Sequence, residues 1–100
     1  MSNEPKYCLK DLQKTFDRPV KLRMTQTAIQ TQYDLHFKDE DVVAAIQALS
    51  EGDFYKSMQP INLEFTAWQD VYKSKFKGVR LYIKFQVDSR GAVIISFKEQ

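Results

Sequence analysis

Across residues 79–88 the chain alternates without a break. Val79, Leu81, Ile83, Phe85 and Val87 are apolar, whereas Arg80, Tyr82, Lys84, Gln86 and Asp88 are polar or amphipathic. A period of two belongs to a β-strand that buries one face and shows the other to water or ligand. A second strand over residues 92–98 has Val93, Ile95 and Phe97 on one parity and Ser96 and Lys98 on the other. Between them, Asp88-Ser89-Arg90-Gly91 suits a three-residue loop, a type I turn with Gly91 in the left-handed conformation. That loop opposes Asp88 to Ala92, which sets Phe85 against Ile95, Ile83 against Phe97 and Tyr82 against Lys98. A two-residue loop would set Tyr82 against Phe97 and mix the faces, which a half-buried sheet penalises. Tyr82 and Lys98 are therefore expected as cross-strand neighbours on the exposed face.

The first half of the chain has helical periods. Leu9, Leu12 and Phe16 recur at helical spacing over residues 7–16, and Asp17-Arg18-Pro19 ends that run. Val20, Leu22 and Met24 alternate with Lys21 and Arg23, which predicts a short half-exposed strand. Thr25 can cap a helix over residues 26–34. Asp39 begins the clearest helix: Glu40 and Asp41 favour its positive end, Val42, Val43, Ile46 and Leu49 form one stripe, and Gly52 is the expected stop. The acidic run Asp39-Glu40-Asp41 reads as dipole compensation rather than metal binding. After Gly52, residues 54–58 read as a loop or short turn, 63–72 as a strand and 73–78 as a loop. Helices followed by strands predict an α+β domain, with no boundary inside residues 1–100.

Composition bounds the chemistry. Residues 1–70 hold 8 basic and 11 acidic side chains, whereas residues 71–100 hold 7 basic and 2 acidic ones. Positive charge gathered in the last third points to an anionic partner. The single cysteine, Cys8, cannot close an intramolecular disulfide, which favours a cytosolic, cytoplasmic protein. Beside Leu9 and Leu12 it reads as a half-buried helical thiol. The one histidine, His36, falls in a loop or helix end and reads as packed or exposed rather than catalytic. One Cys and one His exclude a structural zinc site of the usual kind, and no cofactor motif is present. Catalysis would have to use Lys, Arg, Tyr, Gln or carboxylates. No apolar run approaches the roughly 18 residues of a membrane span, so no membrane partner is expected.

Tyr82 stands between Arg80 and Lys84 in alternation, with Lys98 opposite. These residues fit an anion site, and equally a solvated sheet face. Lys73-Ser74-Lys75-Phe76-Lys77-Gly78 interleaves three lysines with an aromatic, a pattern suited to phosphate neutralisation and base stacking on a single strand. Gln69 shares parity with Leu63, Phe65 and Val71, so an amide interrupts what reads as an apolar face. It is either hydrogen-bonded internally or functional.

Leu49-Ser50-Glu51, Asp53-Phe54-Tyr55-Lys56-Ser57-Met58, Trp68-Gln69-Asp70-Val71-Tyr72, Tyr82 with Lys84, and Ser96-Phe97-Lys98-Glu99 resemble the MqsR family. These are toxins of bacterial type II toxin–antitoxin systems, mRNA interferases with a RelE-like fold. The match is dense over residues 49–100, about half the chain. It implies a mainly antiparallel, twisted sheet with N-terminal helices on one face. It also implies a ribosome-independent endoribonuclease acting on single-stranded mRNA at short GCU-containing sequences, without a metal. Lys56, Gln69, Tyr82 and Lys98 match the family's catalytic positions, and Tyr55 and Met58 match flanking positions that hold the RNA. Lys73, Lys75, Lys77, Arg80 and Lys84 are the remaining candidate RNA contacts. A cognate antitoxin is the implied protein partner, and DNA is implied only indirectly, through the antitoxin's own DNA-binding domain. The competing class is a nucleic-acid-binding or protein-interaction module without catalysis.

Overall fold

The computed structural model describes residues 4–59, 68–88 and 90–100. Among these residues three helices, α1 (Leu9–Thr15), α2 (Gln26–Asp34) and α3 (Asp39–Gln47), precede four strands. These are β1 (Phe54–Met58), β2 (Gln69–Phe76), β3 (Val79–Val87) and β4 (Val93–Glu99). The strands form an antiparallel meander in the order β1-β2-β3-β4. The architecture is α+β, as expected, with the helices covering one face of the sheet. Among the described residues no helix is long and apolar enough to cross a membrane.

The alternation in β3 builds the core. Leu81, Ile83 and Phe85 point to the helices beside Ile95 and Phe97 of β4 and Tyr72 of β2. They meet Leu9, Leu12 and Phe16, then Ala28, then Val42, Ala45, Ile46 and Leu49. Phe85 sits at the centre, 5.8 Å from the Tyr72 ring and 6.4 Å from Phe16. The β3–β4 register is the expected one: Tyr82 opposes Lys98, Ile83 opposes Phe97 and Phe85 opposes Ile95. Asp88 N–H donates to the Ala92 carbonyl at 2.8 Å, and Gly91 takes φ +83°.

Several local expectations are corrected. Residues 20–24 form no strand of their own. Pro19 presets φ for a 3₁₀ turn over Pro19–Lys21, and only Met24 makes a parallel bridge, to Ile95. α3 ends at Gln47 with Ala48 as its C-cap, well before Gly52. Gln13 Nε2 donates to the carbonyls of Ile46, Gln47 and Leu49, so a side chain from α1 satisfies the helix end. Gly52 lies instead in a second 3₁₀ turn, Glu51–Asp53. Cys8 is exposed at the α1 N-cap rather than half-buried within the helix, because the inward positions go to Leu9 and Leu12. His36 lies just past α2, at φ +58°. His36 N–H donates to the Tyr33 carbonyl and Phe37 N–H to Gln32, a Schellman closure that gives this residue a structural task.

Residues 54–58 are strand, not loop, and residues 73–76 continue β2. The turn shrinks to Lys77-Gly78, with φ +51° and +80°, the two positive angles of a type I′ hairpin. Of the strand expected over residues 63–72, the part before Trp68 lies outside the described residues. The observed β2 reverses the assumed parity. Tyr72 faces the helices, so Gln69, Val71 and Lys73 belong to the outer face.

Candidate functional site

The outer face of the sheet is organised in rows. Lys56, Val71, Lys84 and Ser96 lie side by side across the four strands, and Lys73, Tyr82 and Lys98 form the next row. Gln69 and Gln86 sit one row to the other side, with Lys75 and Arg80 beyond Tyr82. Outer-face positions two apart on one strand are separated by about 6.8 Å, so the rows are evenly stepped.

A bulge completes the arrangement at the sheet's edge. Phe54 pairs with Tyr72 but Lys56 pairs with Val71, so Tyr55 is an extra residue in β1. Strict alternation would send Tyr55 and Lys56 to opposite faces; the bulge brings both to the outer one. Phe54 remains inside, packed edge-on to Tyr72 at 5.6 Å. Asp70 locks this geometry. Fully buried, its carboxylate accepts from the Lys6 and Tyr7 backbone N–H groups and from Ser57 Oγ at 2.8 Å. It thereby ties the N-terminal segment and β1 to β2, with Lys56 beside Ser57 held in register. The sequence reading did not single out Asp70. Its signal was a carboxylate on the same parity as Tyr72, which only the true face assignment makes conspicuous.

Tyr55, Lys56, Met58, Val71, Tyr82, Lys84 and Lys98 line one open cleft of about 250 Å³. Lys73 stands on its rim, its Nζ 3.8 Å from the Tyr55 ring centre and 5.5 Å from that of Tyr82. Lys56 Nζ lies 5.0 Å from the Tyr55 ring, and the two tyrosine rings are 6.4 Å apart. Cations held over aromatic faces at these distances are attracted by the ring quadrupole, which fixes them where ligand phosphates can reach. Tyr55 nevertheless stays 45% exposed, open for stacking. Lys84, at the centre of the cleft, has its ammonium pushed below the ordinary lysine range. Burial is the largest cause, followed by the charges of Lys98 and Lys56.

The structure thus brings together Lys56, Tyr82 and Lys98 of the four expected catalytic residues, with Tyr55, Met58, Lys73 and Lys84. Gln69 stands across Lys84 in an adjoining groove, its Nε2 donating to Gln86 Oε1 at 3.0 Å. Lys75 and Arg80 are exposed one row further out. Lys77, at the hairpin tip, is ion-paired to Asp41 at the start of α3. Gln86 and Ser96 escaped the sequence reading because a polar residue on a solvent-facing parity carries no signal of its own.

Among the described residues no carboxylate or imidazole lines the cleft, and no cluster of three or more His, Cys, Asp and Glu could hold a metal. What the cleft offers is three amines and two phenols on a rigid sheet. Together with the fold, this defines an α+β protein whose outer sheet face carries an open cleft lined by amines and aromatic rings. The chain belongs to the MqsR toxin family: the model of that family, described as motility quorum-sensing regulator, toxin of MqsA, matches residues 4–99. The mRNA interferase toxin MqsR of Escherichia coli (strain K12) is 35% identical over 79 residues, 79% of each chain.

Proposed function

We propose that this toxin is an endoribonuclease of the mRNA-interferase kind, cutting single-stranded mRNA without a metal ion and without the ribosome. The convergence of Lys56, Lys84 and Lys98 with Tyr82 around one open cleft carries the reading. Preference for GCU-containing sequences rests on the family likeness, as does pairing with an antitoxin of the MqsA kind, through which alone DNA is reached. An mRNA target implies a cytoplasmic site of action.

RNA brings its own nucleophile, the 2′-hydroxyl, so the protein must align it, move two protons and stabilise charge. Lys56 and Lys98 flank the cleft and hold the scissile phosphate, their positive charge opposing the negative charge that develops on its oxygens. Lys84 between them, its ammonium disfavoured by burial and by their charges, takes the 2′-hydroxyl proton. The 2′-oxygen attacks phosphorus, the bond to the 5′-oxygen breaks, and Tyr82 gives that oxygen a proton. The products are a 2′,3′-cyclic phosphate and a 5′-hydroxyl. Tyr55, with Met58 beside it, supports a neighbouring base, while Lys73, Lys75 and Arg80 extend the positive rim; Lys77, expected among the RNA contacts, is instead paired with Asp41.

The test is cleavage mapping on a defined GCU-containing RNA in EDTA, with wild type and Lys56→Ala in parallel. Wild type is expected to produce 5′-hydroxyl ends and the variant to be slower by a hundredfold or more, about 3 kcal/mol of lost charge stabilisation. RNA bound but left intact by wild type would establish a binding module instead.

A further inference from the structure

Beside the catalytic cleft lies a second depression of about 150 Å³, walled by Thr25 and Thr27 of the α2 start and floored by Gln69, Gln86 and Ser96. Lys84 belongs to both, so the two spaces are joined across one side chain. Their chemistry differs. The cleft has three lysines, whereas among the described residues Lys84 is the groove's one basic side chain; its other polar groups are two amides and three hydroxyls, with Ile94 as an apolar flank. A phosphate seeks cations, and a neutral base edge seeks paired donors and acceptors. The two amides are tied to each other, and Gln69 is the more accessible of them. Gln86 is nine-tenths buried, and Gln69 Nε2 donates to its Oε1 at 3.0 Å. Distance fits as well: Gln86 is one outer-face step, about 6.8 Å, along β3 from Lys84. A nucleotide whose phosphate is held by Lys56 and Lys98 in the cleft, beside Lys84, can therefore lay its base over the amide pair.

We propose that the Gln69–Gln86 groove is a nucleobase subsite, reading the edge of a base next to the scissile phosphate and setting sequence preference at that one position. The inference deepens the ribonuclease reading and rests on it. It also gives Gln69 a place in recognition, on the far side of Lys84 from Tyr82.

The test uses RNAs carrying each of the four bases at each position around the cut. Relative kcat/KM is measured for wild type, Gln86→Leu and the groove-wall variant Thr27→Val. Binding of the same RNAs is measured with a 2′-deoxy nucleotide at the cut, which prevents cleavage. Wild type should favour one base at the subsite position by about tenfold or more, the usual worth of a good amide–base pairing. Gln86→Leu should flatten that ratio to within about twofold while preferences elsewhere persist. Thr27→Val, which leaves the Gln69–Gln86 pair intact, should weaken the same ratio and serves if Gln86→Leu does not fold by circular dichroism. Unchanged preferences, or a uniform loss for every base, would overturn the proposal, since a structural or general catalytic role lowers all sequences alike. If the 2′-deoxy RNAs show the base preference and its loss in the variants, but unmodified RNA is never cut, the subsite stands and the ribonuclease reading falls.

Discussion

Lys84 sits on β3 with Lys56 beyond Val71 in its own row and Lys98 in the next row on β4, and its reactivity follows from that company. An amine removes a proton only in its neutral form, so cleavage should rise with pH up to the Lys84 midpoint. Burial and the charges of Lys98 and Lys56 favour the neutral form and hold that midpoint below the ordinary 10.5. Lys98→Met deletes one of those charges, so the midpoint climbs and the rising limb moves to higher pH. The plateau also falls, because Lys98 holds phosphate; the position of the limb is the readout. A limb that stays put or moves to lower pH removes Lys84 as the base. Tyr55 makes a separate case. With the ring half-open and braced by Lys73 and Lys56, Tyr55→Ala should weaken binding of a short single-stranded RNA by about 1–3 kcal/mol, the usual worth of one stacked base. Tyr55→Phe should bind within about threefold of wild type, and an equal loss in both variants would assign the effect to the hydroxyl instead.

Among the elements, β1 depends most on a single contact. Its outer-face residues reach the cleft through a bulge, and the buried Asp70 carboxylate joins it to β2 and to the Lys6–Tyr7 backbone. Asp70→Ala should lower unfolding stability by on the order of 3 kcal/mol, because two backbone donors and Ser57 lose a charged acceptor inside the protein. Asp70→Asn, which keeps one acceptor oxygen, should lose less; urea denaturation of the pair is the check. Gly78→Ala should cost about 1 kcal/mol in the same assay, because φ +80° strains any residue with a Cβ while nothing nearby contacts that atom. Legibility followed local pattern. The β3–β4 hairpin, the Thr25-capped α2 and the start of α3 were readable because alternation, turn residues and first-turn acids are encoded within a few positions. β1 was not, since its bulge breaks the very alternation that marks a strand. Residues 73–76 looked like a loop because lysines at 73, 75 and 77 suggest solvent. In fact two of them form the outer face of β2 and only Lys77 turns. The end of α3 was unreadable for a different reason: its partner, Gln13, comes from another helix.

For the whole molecule, the uneven charge becomes a two-sided field. Part of the positive excess is spent locally, in Lys77–Asp41 and in Arg23–Asp88 at 3.6 Å. What is left gathers on the outer sheet face, while the acids of α3 lie in the helical layer behind it. The site was legible in part for the same reason: the hairpin register had already joined Tyr82 to Lys98. Lys56 came only through resemblance, because nothing in the sequence says that β1 closes the far edge of the same face. A polyanion should therefore feel one side of this molecule. If Lys56, Lys73 and Lys98 each neutralise one phosphate, log binding constant against log salt should fall with a slope of roughly −2 on single-stranded RNA. Lys73→Ala should make that slope shallower by about 0.7. Lys14→Ala, an exposed lysine on α1 in the helical layer, should leave it unchanged. Fluorescence titration of a 2′-deoxy-blocked RNA at several salt concentrations measures all three. Should Lys14→Ala flatten the slope as much as Lys73→Ala, the RNA would have to wrap onto the helical side, and the sheet face could no longer be the whole of its footprint.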